Sequence, residues 1–181
     1  GNANDPAQEL LSRRFDIVIG AVTPRDDIFA TVPLFEDQLV CIMSKDHPLS
    51  KRPFVRHEDF RDQKFITHVE KARSSFYQHT LRPKGIEPKG LMTVSSPQAI
   101  VAMVAADVGL SVFPSWAIRS AVDAGTIWAR PFTESGQPIT WRAVHLKSGQ
   151  VPVYLQAFIQ IITHLDAAGI RALPDDPASA A

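Results

Sequence analysis

The chain has 181 residues, 45% of them hydrophobic and 21% charged, which is enough to bury one substantial core or two small ones without disulfides or metals. Nineteen Lys and Arg balance nineteen Asp and Glu with no basic tract, so no phosphate-binding face and no direct nucleic-acid contact are expected of this chain. No run reaches the ~18 apolar residues of a membrane span, and residues 1–5 lack the basic and apolar regions of a signal peptide.

Gly1 in place of Met reads as a trimmed start. Asp5, Pro6 and Gln8 have the residue types of a helix cap, first position and third position, and Leu10, Leu11 and Phe15 give that helix an apolar side. Residues 16–20, Asp-Ile-Val-Ile-Gly, are apolar without alternation, the pattern of a parallel strand covered on both faces. Such a strand needs a neighbour, and only a helix precedes it, so part of the fold is expected to lie upstream. Strands follow at 29–35 and 38–44, then a helical turn at 58–61, a strand at 64–67 and a helix over 74–82 that Pro83 and Gly85 stop. The single cysteine, Cys41, lies in the apolar run Leu39-Val40-Cys41-Ile42-Met43 and reads as a buried thiol in a reducing cytoplasm.

Beyond these come a strand at 91–94, a helix at 97–106, a strand at 110–113 and a helix at 115–124 ended by Gly125. Strands at 126–130 and 139–146 precede a last helix whose Phe158, Ile161, Ile162 and Leu165 form one core-facing side. The tail from Leu173 has too little apolar surface to order itself. The alternation of strands and helices defines an α/β fold.

The richest local chemistry is Ser95-Ser96-Pro97-Gln98, which follows a strand and opens a nearly all-apolar helix. Unpaired N–H groups and the positive end of the helix dipole can hold a carboxylate there, with serine hydroxyls as extra donors. The same residues serve equally as a Ser96 cap with Pro97 in the first position, worth about 1 kcal/mol. Thr67 and His68 end a strand and face the same crevice, where an imidazole changes charge near neutral pH, although a strand-end histidine is also ordinary loop chemistry. Val22 and Thr23 lie just past the strand at 16–20, where an open hydroxyl can close on a ligand or simply make a turn with Pro24.

His57-Glu58-Asp59 with His47 lacks the spacing of a metal site, and no phosphate-binding glycine motif or nucleophile elbow occurs, so neither metal nor cofactor is expected. A Ser95, His68 and Asp107 triad is one of dozens that composition allows. Trp116, Trp128 and Trp141 read as packing residues among apolar neighbours.

Several segments, in order and spacing, resemble the effector-binding domain of LysR-type transcriptional regulators. They are Leu10 through Ile19, Pro33-Leu34-Phe35-Glu36-Asp37-Gln38-Leu39-Val40-Cys41-Ile42, Asp46-His47-Pro48-Leu49, and above all Ser96-Pro97-Gln98-Ala99-Ile100 on through Gly109-Leu110-Ser111-Val112-Phe113-Pro114. Within the family, Asp5-Pro6 through Ile19 and Pro114-Ser115-Trp116 are most similar to the methionine-biosynthesis regulators that sense homocysteine.

The resemblance implies a two-lobed, periplasmic-binding-protein-like (type II) α/β fold, with residues 1–36 and 137–181 in one lobe and 37–136 in the other. The first lobe is expected to be incomplete, lacking its first strand, helix and strand, and the family's winged helix-turn-helix is expected to lie outside this chain. The family's effector site lies between lobes, which matches Val22, Thr23, Thr67, His68, Ser95, Ser96 and Phe113 here. Expected partners are a small amino-acid or carboxylate effector, further copies of the chain as dimer or tetramer, and DNA only through the absent domain. Two rival readings are a transporter's solute-binding protein and a hydrolase with Ser95 or Ser96 as nucleophile.

Overall fold

The computed structural model describes residues 6–21, 27–147 and 151–169. The elements in chain order are α1 (Pro6–Leu11), β1 (Val18–Gly20), β2 (Phe29–Met43), β3 (Lys64–Thr67), β4 (Gly90–Thr93), α2 (Pro97–Ala105), β5 (Ser111–Pro114), α3 (Ser115–Asp123), β6 (Trp128–Pro131), β7 (Pro138–Leu146) and α4 (Val153–Gly169). The chain divides into two compact units, Gly1–Asp37 with Ile139–Ala172 and Gln38–Pro138 with Leu173–Ala181. Asp5, the expected cap of the first helix, and the tail from Leu173 lie outside the described residues.

In the first unit β7 lies between β1 and β2. β1 pairs antiparallel with β7, Val18 opposite Val144 and Gly20 opposite Arg142. This corrects the expected buried parallel strand at 16–20: only three residues are extended, and Ile19 is 38% exposed. An apolar run without alternation says that both faces tolerate burial, and says nothing of strand direction. The small core joins Leu10, Phe29 and Val144. Trp141 stacks on Phe35 at 6.0 Å and donates from its indole Nε1 to the Asp37 carboxylate at 3.2 Å.

The last helix is where sequence and structure part most. Leu155 is buried, whereas Phe158 is 42% and Ile161 59% exposed. Leu165 lies outside the side chains described. A helical period fixes the width of an apolar stripe but not which part of it meets a core.

The second unit has a continuous logic from sequence to layers. β2 is one strand of 15 residues where two were expected, because Glu36-Asp37 is polar but still extended. Its end alternates: Cys41 and Met43 join a core with Phe60, Phe65, Leu81 and Phe132, while Val40 and Ile42 join Ile66, Ile100, Val104 and Ile118. The unbroken apolar run is thus a strand covered on both sides. α2 and α3 cover the second face. Short 3-10 and π turns cover the first, with aromatic pairs such as Phe60 edge-on to Phe65 at 5.5 Å.

The helix expected at 74–82 is wound mostly as a π-helix over Tyr77–Leu81, Arg82 N–H reaching back to the Tyr77 carbonyl. It runs on through a 3-10 turn, Arg82–Lys84, that contains Pro83 instead of stopping there, and ends as expected at Gly85 with φ 61°. His47-Pro48-Leu49 has a mechanical role. His47 Nδ1 caps a 3-10 turn by accepting the Leu49 N–H at 3.2 Å, Pro48 opens the turn, and Leu49 enters the core.

β2 takes β5 and β6 antiparallel, and β3 takes β4 parallel. The two ladders meet at a parallel bridge between Phe65 and Leu110. There Leu110 N–H donates to the Lys64 carbonyl at 2.9 Å and Ile66 N–H to the Leu110 carbonyl at 2.8 Å. Ser111 Oγ adds a bond to the Ile66 carbonyl at 2.7 Å. This approach requires Gly109, since a Cβ there would stand 2.5 Å from the Lys64 carbonyl oxygen.

Gly109→Ala should therefore cost about 1–3 kcal/mol in urea unfolding, through a backbone clash that no rotamer relieves. Gly90→Ala, whose Cβ would meet only the Lys64 side chain at 3.7 Å, should stay within about 0.5 kcal/mol of the parent. Equal costs at the two glycines would contradict the close-approach argument.

Candidate functional site

Three strands end at one edge of the second unit's sheet. β3 and β4 run parallel from Lys64 opposite Gly90 to Thr67 opposite Thr93, and the bridge at Leu110 gives β5 the same direction. Their carboxyl ends place Thr67-His68, Val94-Ser95-Ser96 and Phe113-Pro114-Ser115 along this edge, with α2 and α3 both starting there. Helix starts at strand carboxyl ends offer unsatisfied N–H groups and positive dipole ends, which suits an anion.

Ser96 is the cap of α2. Its Oγ accepts the Ala99 N–H at 3.3 Å and points its own proton at Gln98 Oε1, 3.2 Å away. Pro97 has no N–H and that of Ala99 is used, so the Gln98 N–H is the donor the cap leaves over. Ser95 is exposed, and its hydroxyl has no hydrogen-bond partner among the described residues. Thr67 is buried and its carbonyl accepts the Val94 N–H at 2.9 Å. His68 follows on the surface with its ring partly surrounded by protein, and this desolvation lowers its pKa below the usual 6.5. The imidazole is accordingly neutral at neutral pH, not poised at its midpoint.

Phe113 reaches the edge through its backbone only. Its ring is buried with Val40, Ile66, Ile100 and Ile118. Val22 and Thr23 lie outside the described residues. One residue on this edge was missed: Ser115 is buried at the first position of α3, behind Pro114, which offers no side-chain cap. The signal was present, since Pro114-Ser115 opens a helix after an apolar strand much as Ser96-Pro97 does. Trp116 beside it is 45% exposed. Trp128 is half-buried, with the Arg130 guanidinium 4.9 Å from its ring.

A triad of Ser95, His68 and Asp107 does not assemble. Ser95 precedes α2 and Asp107 follows it, about 13 Å of helix apart. The Asp107 carboxylate is held by the Ser44 hydroxyl at 2.6 Å, at a residue with φ 59°. The histidines set aside as metal ligands have structural partners. His47 Nε2 meets Gln63 Oε1 at 3.2 Å, and the His57 ring stacks on Phe132 at 5.1 Å and takes the Lys84 ammonium at 2.7 Å. Burial and then Lys84 lower the His57 pKa. Cys41 is fully buried, and burial together with the Asp59 charge pushes its thiol far up, away from the reactive thiolate.

Residues 1–166 match the family model of the LysR substrate binding domain. The chain belongs to that family: it is an effector-binding domain of the LysR-type transcriptional regulators. Its relatives include the HTH-type transcriptional regulator MetR of Haemophilus influenzae, 30% identical over 163 residues that cover 90% of this chain and 52% of that protein. The chain thus spans about half the length of that relative. Among solved structures it is similar to the regulatory domain of MetR from N. meningitidis, with TM-score 0.80 and 28% identity over 94% of this chain and 77% of that one. The effector binding domain of QuiR in complex with shikimate shares the fold, with TM-score 0.71 at 20% identity over 89% of this chain and 76% of that one. These relatives are regulators and not enzymes, which sets aside the hydrolase reading. Among the described residues no helix is long and apolar enough to cross a membrane.

Two measurements test the edge. Ser96→Ala should cost about 1 kcal/mol through loss of the α2 cap, while Ser95→Ala should leave urea unfolding within about 0.5 kcal/mol of the parent. A reversed order would place the cap on the wrong serine. Because folding lowers the pKa of His68 and His57, the unfolded chain takes up protons first as pH falls below 6.5. Thermal midpoints should therefore drop on acidification through that range, and His68→Gln should make the drop shallower with little change at about pH 7.5. A midpoint that rises on acidification would contradict the assigned direction.

Proposed function

We propose that this chain senses a small anionic metabolite of the amino-acid or carboxylate class, homocysteine among them, on behalf of a methionine-biosynthesis regulator of the bacterial cytoplasm. The observation that carries the reading is the convergence of three strand ends and two helix starts on one edge, where Ser95 and the Gln98 N–H stand uncommitted. A carboxylate docked there accepts from Ser95 Oγ, from the Gln98 N–H and from the Ser96 proton now directed at Gln98, with neutral His68 and Thr67 beside it. Similarity to the MetR regulators favours an amino-acid effector, and the shikimate held by QuiR favours a carboxylate.

In this reading residues 1–36 with 137–181 form one lobe and 37–136 the other. The effector favours one arrangement of the regulator because it binds the alternatives unequally, and so repositions DNA-binding domains carried outside this chain in a dimer or tetramer.

Calorimetric titration of the chain with L-homocysteine and with simple carboxylates tests this. Saturable binding that weakens at least tenfold in the Ser95→Ala, Ser96→Ala double variant, about 1.4 kcal/mol, is the expected result. Binding indifferent to both serines would remove the site assignment, and no binding by any member of the panel would remove the effector class.

A further inference from the structure

The first unit holds a cavity of about 200 Å³ that is built only from that unit's own residues and shares none with the serine edge. Its walls include the buried Leu10 and Leu155, and three polar side chains line it: Arg13, Asp16 and His145. The volume is several times what a single water needs and below that of a pocket for a drug-sized molecule. It therefore suits a compact organic molecule.

The polar groups are complementary in kind. Arg13 offers a guanidinium that is always charged, Asp16 a carboxylate, and no ion pair joins the two among the described residues. His145 is buried, and its Nδ1 donates to the Leu146 carbonyl at 2.9 Å, so its Nε2 is the acceptor nitrogen of that tautomer. Desolvation first, and then the neighbouring Asp16 carboxylate, raise the pKa of the Tyr154 phenol above its ordinary value. Arg13 stands at φ 55°, just past α1, where glycine is the ordinary choice.

We propose that this cavity binds a zwitterionic amino acid with a small apolar side chain, as a second ligand site distinct from the serine edge. The ligand carboxylate pairs with Arg13, its ammonium with Asp16 and with His145 Nε2, and its side chain packs on Leu10 and Leu155. A bare anion would meet Asp16 and a bare amine would meet Arg13, so the pair selects a molecule that carries both charges.

The test is calorimetry on this chain with L-leucine, with 4-methylpentanoate, which lacks the ammonium, and with 3-methylbutylamine, which lacks the carboxylate. Leucine should bind at least tenfold more tightly than either. Arg13→Gln should bring leucine down to the level of the amine, and Asp16→Asn to that of the carboxylate. Both residues are exposed, so these variants should keep the parent's unfolding midpoint. The Ser95→Ala, Ser96→Ala double variant should bind leucine unchanged, which separates this site from the effector site. Absence of saturable leucine binding overturns the proposal, as does binding that ignores Arg13→Gln and Asp16→Asn or that disappears with the two serines.

Discussion

The backbone contact between Gly109-Leu110 and Lys64 is the constraint on which the second unit depends. Leu110 reaches Lys64 and Ile66 by two main-chain bonds across a gap that admits no Cβ at Gly109. Those bonds join the β3 and β4 ladder to the one that β5 builds with β2. Once β5 is locked parallel to β3, its carboxyl end must lie with theirs, and each helix that follows must begin at that edge. The anion-favouring character of the edge is thus a consequence of strand direction. No charged side chain is needed to produce it, which fits a chain whose formal net charge is zero.

Much of this was legible in the sequence because the relevant signals are local. The apolar run ending β2 has the pattern of a strand buried on both faces, and Val40, Cys41, Ile42 and Met43 do alternate between two cores. Pro97 and Gly125 mark where α2 opens and α3 closes. His47-Pro48-Leu49 is part of the family resemblance, and its physical content is a cap, a first-position proline and a core leucine. What failed were inferences that need a partner element. Strand direction at β1 depends on β7, more than a hundred residues away, and the buried side of α4 depends on what Leu155 meets. Periodicity carries no information on either.

The site was legible only in part, for the same reason. Ser95 and Ser96 share one dipeptide, yet one hydroxyl is committed and the other is not, and only the path of the chain into α2 decides which. Phe113 suits a cleft wall and a core equally, since an aromatic residue at a strand end fits both. The alternation of β5 decides, turning its ring to the side that α2 and α3 cover. Ser115 opens its helix where the sequence places it, but its burial was not legible, because Pro114 before it has the pattern of a strand's end and occupies a capping position with no side-chain cap.

The Ser96 cap also sets how a ligand can act on this domain. Its oxygen holds the Ala99 N–H while its proton rests on the neighbouring Gln98 side chain. An anion that captures that proton leaves the cap in place, because accepting from Ala99 and donating to a ligand use different parts of one hydroxyl. It then gains the Gln98 N–H and the α2 dipole at little cost in reorganisation, with only the Gln98 side chain displaced. In the proposed binding mode folding has already ordered the hydroxyl that the ligand would use, so stability and recognition would draw on Ser96 in the same direction. A ligand that instead had to pull Ser96 away from Ala99 would uncap α2 and lose by that route what it gained by contact. The position of the capping serine therefore favours acceptors, carboxylates above all, over donors such as amines at this edge.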